Sequence, residues 1–138
     1  MNKFKLEIDY DYDFFLAGIV CHEPDYRISW AINKKFNLQL VKDKDIEIHT
    51  KSNSVFHFSL FSFVDELNYK EFFLVRNKCG RKNLIPEQKQ MDFFLLVKGS
   101  MSKENEKELI KDLIEIPFVL MAMAVPVNAL PSKQNLIF

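Results

Sequence analysis

Short apolar segments of strand length dominate the middle of this chain. The segment of residues 93–97, Phe-Phe-Leu-Leu-Val, has no polar position and predicts a strand covered on both faces. In residues 55–63 the apolar side chains change face after Leu60, which indicates a bulge or burial on both faces. The predicted strands are residues 3–8, where charged and apolar residues alternate, and residues 38–41, 46–49, 55–63, 72–75 and 93–97.

Two helices are predicted near the N-terminus. Asp13 is a suitable N-cap for a short helix over residues 14–20, and a strand is the alternative there because Gly18 interrupts the segment. Pro24 suits the first turn of a second helix. The apolar residues that recur in this helix at four-residue spacing and face a core are Ile28, Ile32 and Phe36.

The C-terminal third contains the clearest helical pattern. Ser102 is a good cap for a helix over residues 102–115, and Glu104 and Glu106 lie near the positive end of its dipole. Residues 119–125 predict a last strand, with a kinked helical continuation as the alternative.

These elements predict one α+β domain over residues 1–138. We expect an antiparallel sheet of five to six strands, with an N-terminal helix pair and a C-terminal helix on one face. The order of elements also resembles a helix-grip fold, in which a curved sheet wraps a helix around an apolar cavity.

Composition and charge narrow the range of possible partners and of cellular locations. The net charge is zero, so no overall field attracts nucleic acid or anionic membrane. The longest apolar stretch, residues 116–127, is short for a membrane span and contains two prolines, and no secretory signal is apparent at the N-terminus. We therefore expect a cytoplasmic protein in which Cys21 and Cys79 are free thiols.

Neither a metal, a cofactor nor a catalytic centre is predicted. Asp9, Asp11 and Asp13 would lie on one side of an extended chain, but a solvated acidic edge explains them more simply, and the spacing is not that of an EF-hand. The three histidines are scattered, and no glycine-rich phosphate loop is present. Catalysis by Cys21 beside His22 is not favoured, because sequence neighbours point apart.

One basic patch stands out in a chain of balanced charge. It surrounds Cys79-Gly80 in a predicted loop and consists of Arg76, Lys78, Arg81 and Lys82. Such a patch could bind the phosphates of RNA or of a phosphorylated ligand. The alternative is a solvated hairpin tip.

A proline loop leads into the apolar strand at residues 93–97. Pro86 favours an extended residue before it, and Glu87 then follows on a loop where exposure is expected. Asp92 adjoins the apolar segment and should be partly shielded from water. A shielded carboxylate needs a cation or backbone N–H groups, and we predict Arg27 as its partner.

The motif Ile85-Pro86-Glu87, three residues, Met91-Asp92-Phe93 resembles the signature of the bacterial IPExxxVDY family, with Met and Phe in place of its Val and Tyr. Similar stretches are Asp25-Tyr26-Arg27 with Trp30 and Asn33, Asn77-Lys78, and Asn135-Leu136-Ile137-Phe138. The resemblance covers nearly the whole chain but implies no activity. The structural or binding candidates are Arg27, Trp30, Asn33, Arg76, Asn77, Pro86, Glu87 and Asp92.

Two classes of function remain. The favoured one is a non-catalytic binding or adaptor domain whose partner is a protein, a second copy of the chain, or RNA. The alternative is a binder of a small apolar ligand, such as an acyl chain, or an enzyme, with a Phe-lined pocket. Because the strands offer phenylalanines to both sheet faces, we also expect self-association through one face, unless residues 116–138 fold back over it.

Overall fold

The computed structural model describes residues 13–138, in which strands and two helices are joined by short turns. The helices are α1 (Asp25–Phe36) and α2 (Lys103–Ile114). The strands are β1 (Phe14–Val20), β2 (Val41–Lys42), β3 (Ile46–His49), β4 (Val55–Phe58), β5 (Leu60–Asp65), β6 (Lys70–Arg76), β7 (Lys78–Cys79), β8 (Lys82–Asn83), β9 (Phe93–Lys98) and β10 (Met121–Ala124).

The described strands form one large antiparallel sheet and two hairpins. The sheet has six strands in the order β10–β1–β9–β6–β5–β2, and the hairpins are β3–β4 and β7–β8. Leu95 of β9 lies between Ala17 of β1 and Leu74 of β6. The predicted α+β class and antiparallel sheet are therefore confirmed.

The central strand β9 is covered on both faces, as predicted. Phe93, Leu95 and Val97 pack beneath the helices, whereas Phe94 and Leu96 face the opposite core. All five are at most 2% exposed. The continuous apolar sequence of this strand follows from its two buried faces.

The two helices lie on the same face of the sheet. The residues that α1 and α2 bury there are Ile28, Ala31, Ile32, Leu109 and Leu113. Ser102 caps α2 as predicted, because its Oγ accepts a hydrogen bond of 3.0 Å from the Asn105 N–H. The final predicted strand is also present, as β10.

The opposite face of the sheet is covered by the chain itself. Loop residues Leu84, Ile85 and Met91 are buried against it. The last segment then adds four buried side chains, Val125, Val127, Leu130 and Leu136. Self-association was expected unless residues 116–138 folded back over the phenylalanine-bearing face, and residues 125–136 do so; that reason for a dimer no longer holds.

Residues 14–20 form a strand, so the predicted N-terminal helix pair is wrong, and Asp13 precedes a strand. Residue 18 has no room for a side chain, because a Cβ added to Gly18 would lie 2.7 Å from the Met91 Sδ. The close approach of Met91 could not be read from the local pattern. A strand is the second possibility raised for this segment, and four consecutive residues of it are buried.

Two predicted strands have different bounds in the structure. The predicted strand 38–41 is reduced to a two-residue pairing, Val41–Lys42. The predicted strand 55–63 divides at Ser59 into β4, in a hairpin, and β5, in the main sheet. The predicted change of face is confirmed, since Phe58 and Leu60 enter one core and Phe61 the other. The strand predicted over residues 3–8 lies outside the described residues.

A membrane span is not among the elements of residues 13–138: no helix there is both long and apolar enough to cross a bilayer.

We expect Leu136→Ala to lower the free energy of unfolding by about 2–5 kcal/mol, as for other fully buried leucines. Leu136 is 0% exposed and holds the last segment against the sheet. The exposed neighbour Gln134 provides the control, and Gln134→Ala should stay within about 0.5 kcal/mol of the wild type. Urea unfolding followed by circular dichroism measures both, and equal stabilities would show that the segment does not belong to the cooperative fold.

Candidate functional site

The buried amide of Asn77 holds the loop that carries the Ile-Pro-Glu motif. Its Nδ2 donates to the carbonyl oxygens of Gln88, at 3.0 Å, and Met91, at 2.9 Å. Its Oδ1 accepts a 2.8 Å hydrogen bond from the N–H of Ile85. Because Asn77 is 0% exposed, these bonds satisfy groups that water cannot reach. Asn77 is a structural residue.

Glu87 and Asn135 attach the last segment to the same loop. The Ser132 N–H and Oγ donate to the two carboxylate oxygens of Glu87, at 2.5 and 3.0 Å. Asn135 Nδ2 donates to the carbonyl of Leu84 at 2.9 Å. Glu87 is exposed, as predicted, but its contact is with its own chain. Pro86 opens the short 3-10 turn that presents it.

Asp92 is partly shielded, as predicted, but its partner is not Arg27. Its Oδ2 accepts a 2.9 Å hydrogen bond from the backbone N–H of Cys21. Lys78 Nζ lies 3.9 Å from Oδ1 and His22 Nε2 lies 4.0 Å from Oδ2. The carboxylate, in a side chain that is 17% exposed, thus fixes the end of β1 beside β9. The predicted ion pair with Arg27 is wrong because a backbone donor and a nearer lysine take its place.

Arg27 instead lies on the outer face of α1. Its Nε is 3.2 Å from the Glu23 Oε1, and its guanidinium lies 5.0 Å from the centre of the Phe118 ring. Asn33, one of the other candidates on this helix, faces inward and closes a loop. Its amide exchanges hydrogen bonds of 2.8 and 3.1 Å with the backbone of Leu40.

Burial disfavours the reactive form of Cys21. Removal from water raises the pKa of its thiol, with the Glu23 and Asp92 carboxylates adding to the effect. Cys21 and Cys79 are both unpaired, as predicted. A thiol that stays protonated at neutral pH is a poor nucleophile.

The predicted basic patch is only partly available to a ligand. Lys78 Nζ donates to the carbonyl of Lys89 at 2.6 Å, and the Lys82 ammonium lies 5.8 Å from the centre of the Phe56 ring. Arg76 and Arg81 are exposed. Two of the four cations are therefore held by the protein.

Aromatic side chains are exposed on the outer face of α1. Tyr26 and Trp30, four residues apart, are 69% and 60% exposed. Residues at this spacing lie on the same face of a helix. The Lys34 ammonium, four residues further, lies 5.1 Å from the centre of the Trp30 ring. This surface therefore places two aromatic groups beside a cation.

A groove of about 530 Å³ separates this helix face from residues 115–118. Its lining consists of Arg27, Trp30, Ala31, Lys34, Lys35, Glu115, Ile116, Pro117 and Phe118. We call it the α1 groove. Three cations and one carboxylate surround its apolar surface, and Lys35 Nζ donates to the Glu115 Oε1 at 2.7 Å across it. Such a site suits an apolar group that carries negative charge beside it.

The Lys35–Glu115 pair sets the charges of this lining. Its hydrogen bond lowers the pKa of Glu115 and raises the pKa of Lys35. Both groups are therefore charged at neutral pH. The pair also joins α1 to the end of α2, which keeps the two walls of the groove together.

Sequence reasoning selected two members of this groove, Arg27 and Trp30, and missed its second wall. Lys34 could have been found, because it continues the Tyr26–Trp30 stripe on the face opposite the buried isoleucines. Glu115 and Phe118 gave no signal, since they are distant in the chain and only the fold brings them to α1.

Comparisons of the chain with protein-family models, with curated proteins and with solved structures give no match. The resemblance to the IPExxxVDY family therefore stays a prediction. Within residues 13–138 no three histidine, cysteine or acidic side chains come together in a way that could hold a metal ion.

We expect Asn77→Ala to lower the free energy of unfolding by roughly 3 kcal/mol or more, because it leaves the Ile85 N–H and the Met91 carbonyl without their hydrogen-bond partner. Asn33→Ala serves as the matched control, since Asn33 makes similar bonds in a half-buried position, and should cost roughly 1 kcal/mol. Chemical denaturation compares the two variants. Similar small losses for both would contradict the role assigned to Asn77.

We expect Lys35→Gln to raise the pKa of Glu115 towards its ordinary value, because the lysine supplies the main cause of its lowering. In the wild type this carboxyl has a lowered pKa, so the stabilising ion pair is complete above the unfolded pKa and is lost as the pH falls through the folded one. Carboxyl NMR titration measures the change. Lys107→Gln, an exposed substitution earlier on α2, should leave the Glu115 pKa where it is.

Proposed function

We propose that this chain is a non-catalytic protein-binding module and that the α1 groove is its binding site. The observation that carries the proposal is the pair of exposed aromatic side chains, Tyr26 and Trp30, beside a groove with cationic walls. The free thiols Cys21 and Cys79 fit a place in the cytoplasm.

The residue types of the groove are those that dominate protein interfaces. Tryptophan, tyrosine and arginine are enriched among residues whose truncation weakens binding most. Trp30 and Arg27 lie together here with Phe118 behind them. The inner face of α1 already supplies the contacts that hold the helix to the sheet, so the aromatic outer face contributes little to folding.

The charges favour a protein over RNA as the partner. Arg27 lies beside Glu23, and Lys35 is hydrogen-bonded to Glu115. These carboxylates would repel a phosphate backbone, which binds best to uncompensated cations. A peptide can place a single carboxylate near Lys34 and an apolar side chain in the groove.

The packing of the phenylalanines argues against the apolar-ligand alternative. Phe58, Phe93 and Phe94 are at most 2% exposed and fill the two cores of the fold. The groove on α1 is open and has charged walls, which does not suit an acyl chain that must be shielded from water. Three of the structural or binding candidates, Asn77, Glu87 and Asp92, are occupied in hydrogen bonds within the chain.

Trp30 offers a direct test because it is the only tryptophan of the chain. A short synthetic peptide with tyrosine and leucine between aspartates should shift its emission to shorter wavelength in a saturable way, as the exposed ring becomes covered. A peptide with lysines for the aspartates, and one with serines for the apolar residues, should bind at least about tenfold more weakly.

Matched variants locate the binding site. Lys34→Glu should weaken the acidic peptide by at least about tenfold, whereas Lys44→Glu, the same charge change at an exposed position away from the groove, should not. Equal binding of all three peptides would contradict the proposal. A shift produced by oligouridylate and not by the acidic peptide would identify an RNA-binding surface instead.

A further inference from the structure

The turn between β5 and β6 exposes two large apolar side chains. Leu67 is 91% exposed and Tyr69 is 87% exposed, which makes them the most exposed large hydrophobic side chains within residues 13–138. We call residues 65–69 the hairpin tip. Side chains so far from the core contribute almost no burial to the folded chain.

The backbone conformation of residue 69 also does not favour a tyrosine at this position. Its φ is +55°, in the left-handed region that favours glycine or asparagine and costs free energy for other residues. A buried side chain could offset that cost, but this one is exposed. The turn between the paired residues Asp65 and Lys70 sets this backbone conformation, but it does not require a tyrosine side chain at the position.

The hairpin tip is also acidic. It contains Asp65 and Glu66 and no cation. Asn68 donates to both carboxylate oxygens of Asp65, from its N–H at 3.2 Å and its Nδ2 at 2.9 Å. The nearest lysine in the sequence, Lys70, donates to the carbonyl of Ser100. The two apolar side chains of the tip are therefore accompanied by negative charge.

The α1 groove has the complementary properties. Its walls carry three cations and one carboxylate around apolar side chains, and Lys34 contacts Trp30 and makes no ion pair within the described chain. A tyrosine could stack on Trp30 and a carboxylate could approach Lys34. The tip does not fill the groove of its own chain, since Leu67 and Tyr69 remain exposed.

We propose that the hairpin tip of one copy of this chain binds the α1 groove of a second copy. This inference rests on the proposed function and names the partner of the same site. The contact joins two different surfaces, so two copies can exchange tips reciprocally in a closed two-fold dimer, or further copies can add head-to-tail in a row. It does not involve the covered sheet face through which self-association was first expected.

Two variants test the contact, because each removes one half of it. The tip variant carries Leu67→Ser and Tyr69→Gly, and glycine suits the backbone at residue 69. The groove variant carries Trp30→Ala and Lys34→Glu, both at exposed positions. In sedimentation velocity the wild type should associate with rising concentration, while each variant alone should associate at least about tenfold more weakly.

Mixing the variants gives the decisive result. The groove variant keeps its tip and the tip variant keeps its groove, so the mixture should form a two-chain complex. Trp30, present only in the tip variant of this mixture, should shift to shorter wavelength on mixing. Val41→Ser, a control at another exposed apolar residue, should associate like the wild type.

Three outcomes would overturn the proposal: a wild type that stays monomeric at all concentrations, variants that associate as well as the wild type, or variants that do not complement each other. The acidic-peptide experiment separates this failure from that of the proposed function. If the peptide binds to a monomeric wild type, the groove recognises a different protein. If neither binding nor association occurs, both inferences are wrong.

Discussion

The side-chain amide of Asn77 is the contact on which one whole face of the sheet depends. A loop can lie over an apolar core only if its own N–H and C=O groups find partners. Asn77 provides three such partners for the loop that brings Leu84, Ile85 and Met91 into the core. The loop, once held, presents Glu87 for the last segment of the chain. The second core therefore rests on a chain of contacts in which the Asn77 amide holds the loop and the loop holds the last segment.

Much of the fold could be predicted because the spacing of apolar residues along the chain indicates which side chains are buried. The central strand β9 and the helix α2 follow directly from their apolar patterns. The local pattern of residues 14–20 predicts a helix although they form a strand, because a short apolar segment suits either element. What decides its conformation is pairing with β9 and β10, and the sequence does not show contacts so distant along the chain.

The polar residues were easier to select than to interpret. Asp92 was predicted to be tied into the structure and is hydrogen-bonded there, whereas Asn77 was named only through the family resemblance. The partner of Asp92 could not be predicted, because the backbone N–H of Cys21 exists at every non-proline position and leaves no mark in the sequence. Only one wall of the α1 groove could be predicted, for a related reason. The first wall is a helix whose outer face follows from the residue pattern. The second wall, residues 115–118, is distant in the chain and is brought there by the fold.

Helix α1 carries two separate sets of apolar and aromatic side chains, one buried and one exposed. Ile28 and Ile32 are fully buried against the sheet, whereas Tyr26 and Trp30 on the opposite face are exposed. Substitutions on the outer face therefore leave the core unchanged. Under the proposed function, this arrangement would let the outer residues diverge in evolution and acquire new partners while the inner residues keep the fold constant.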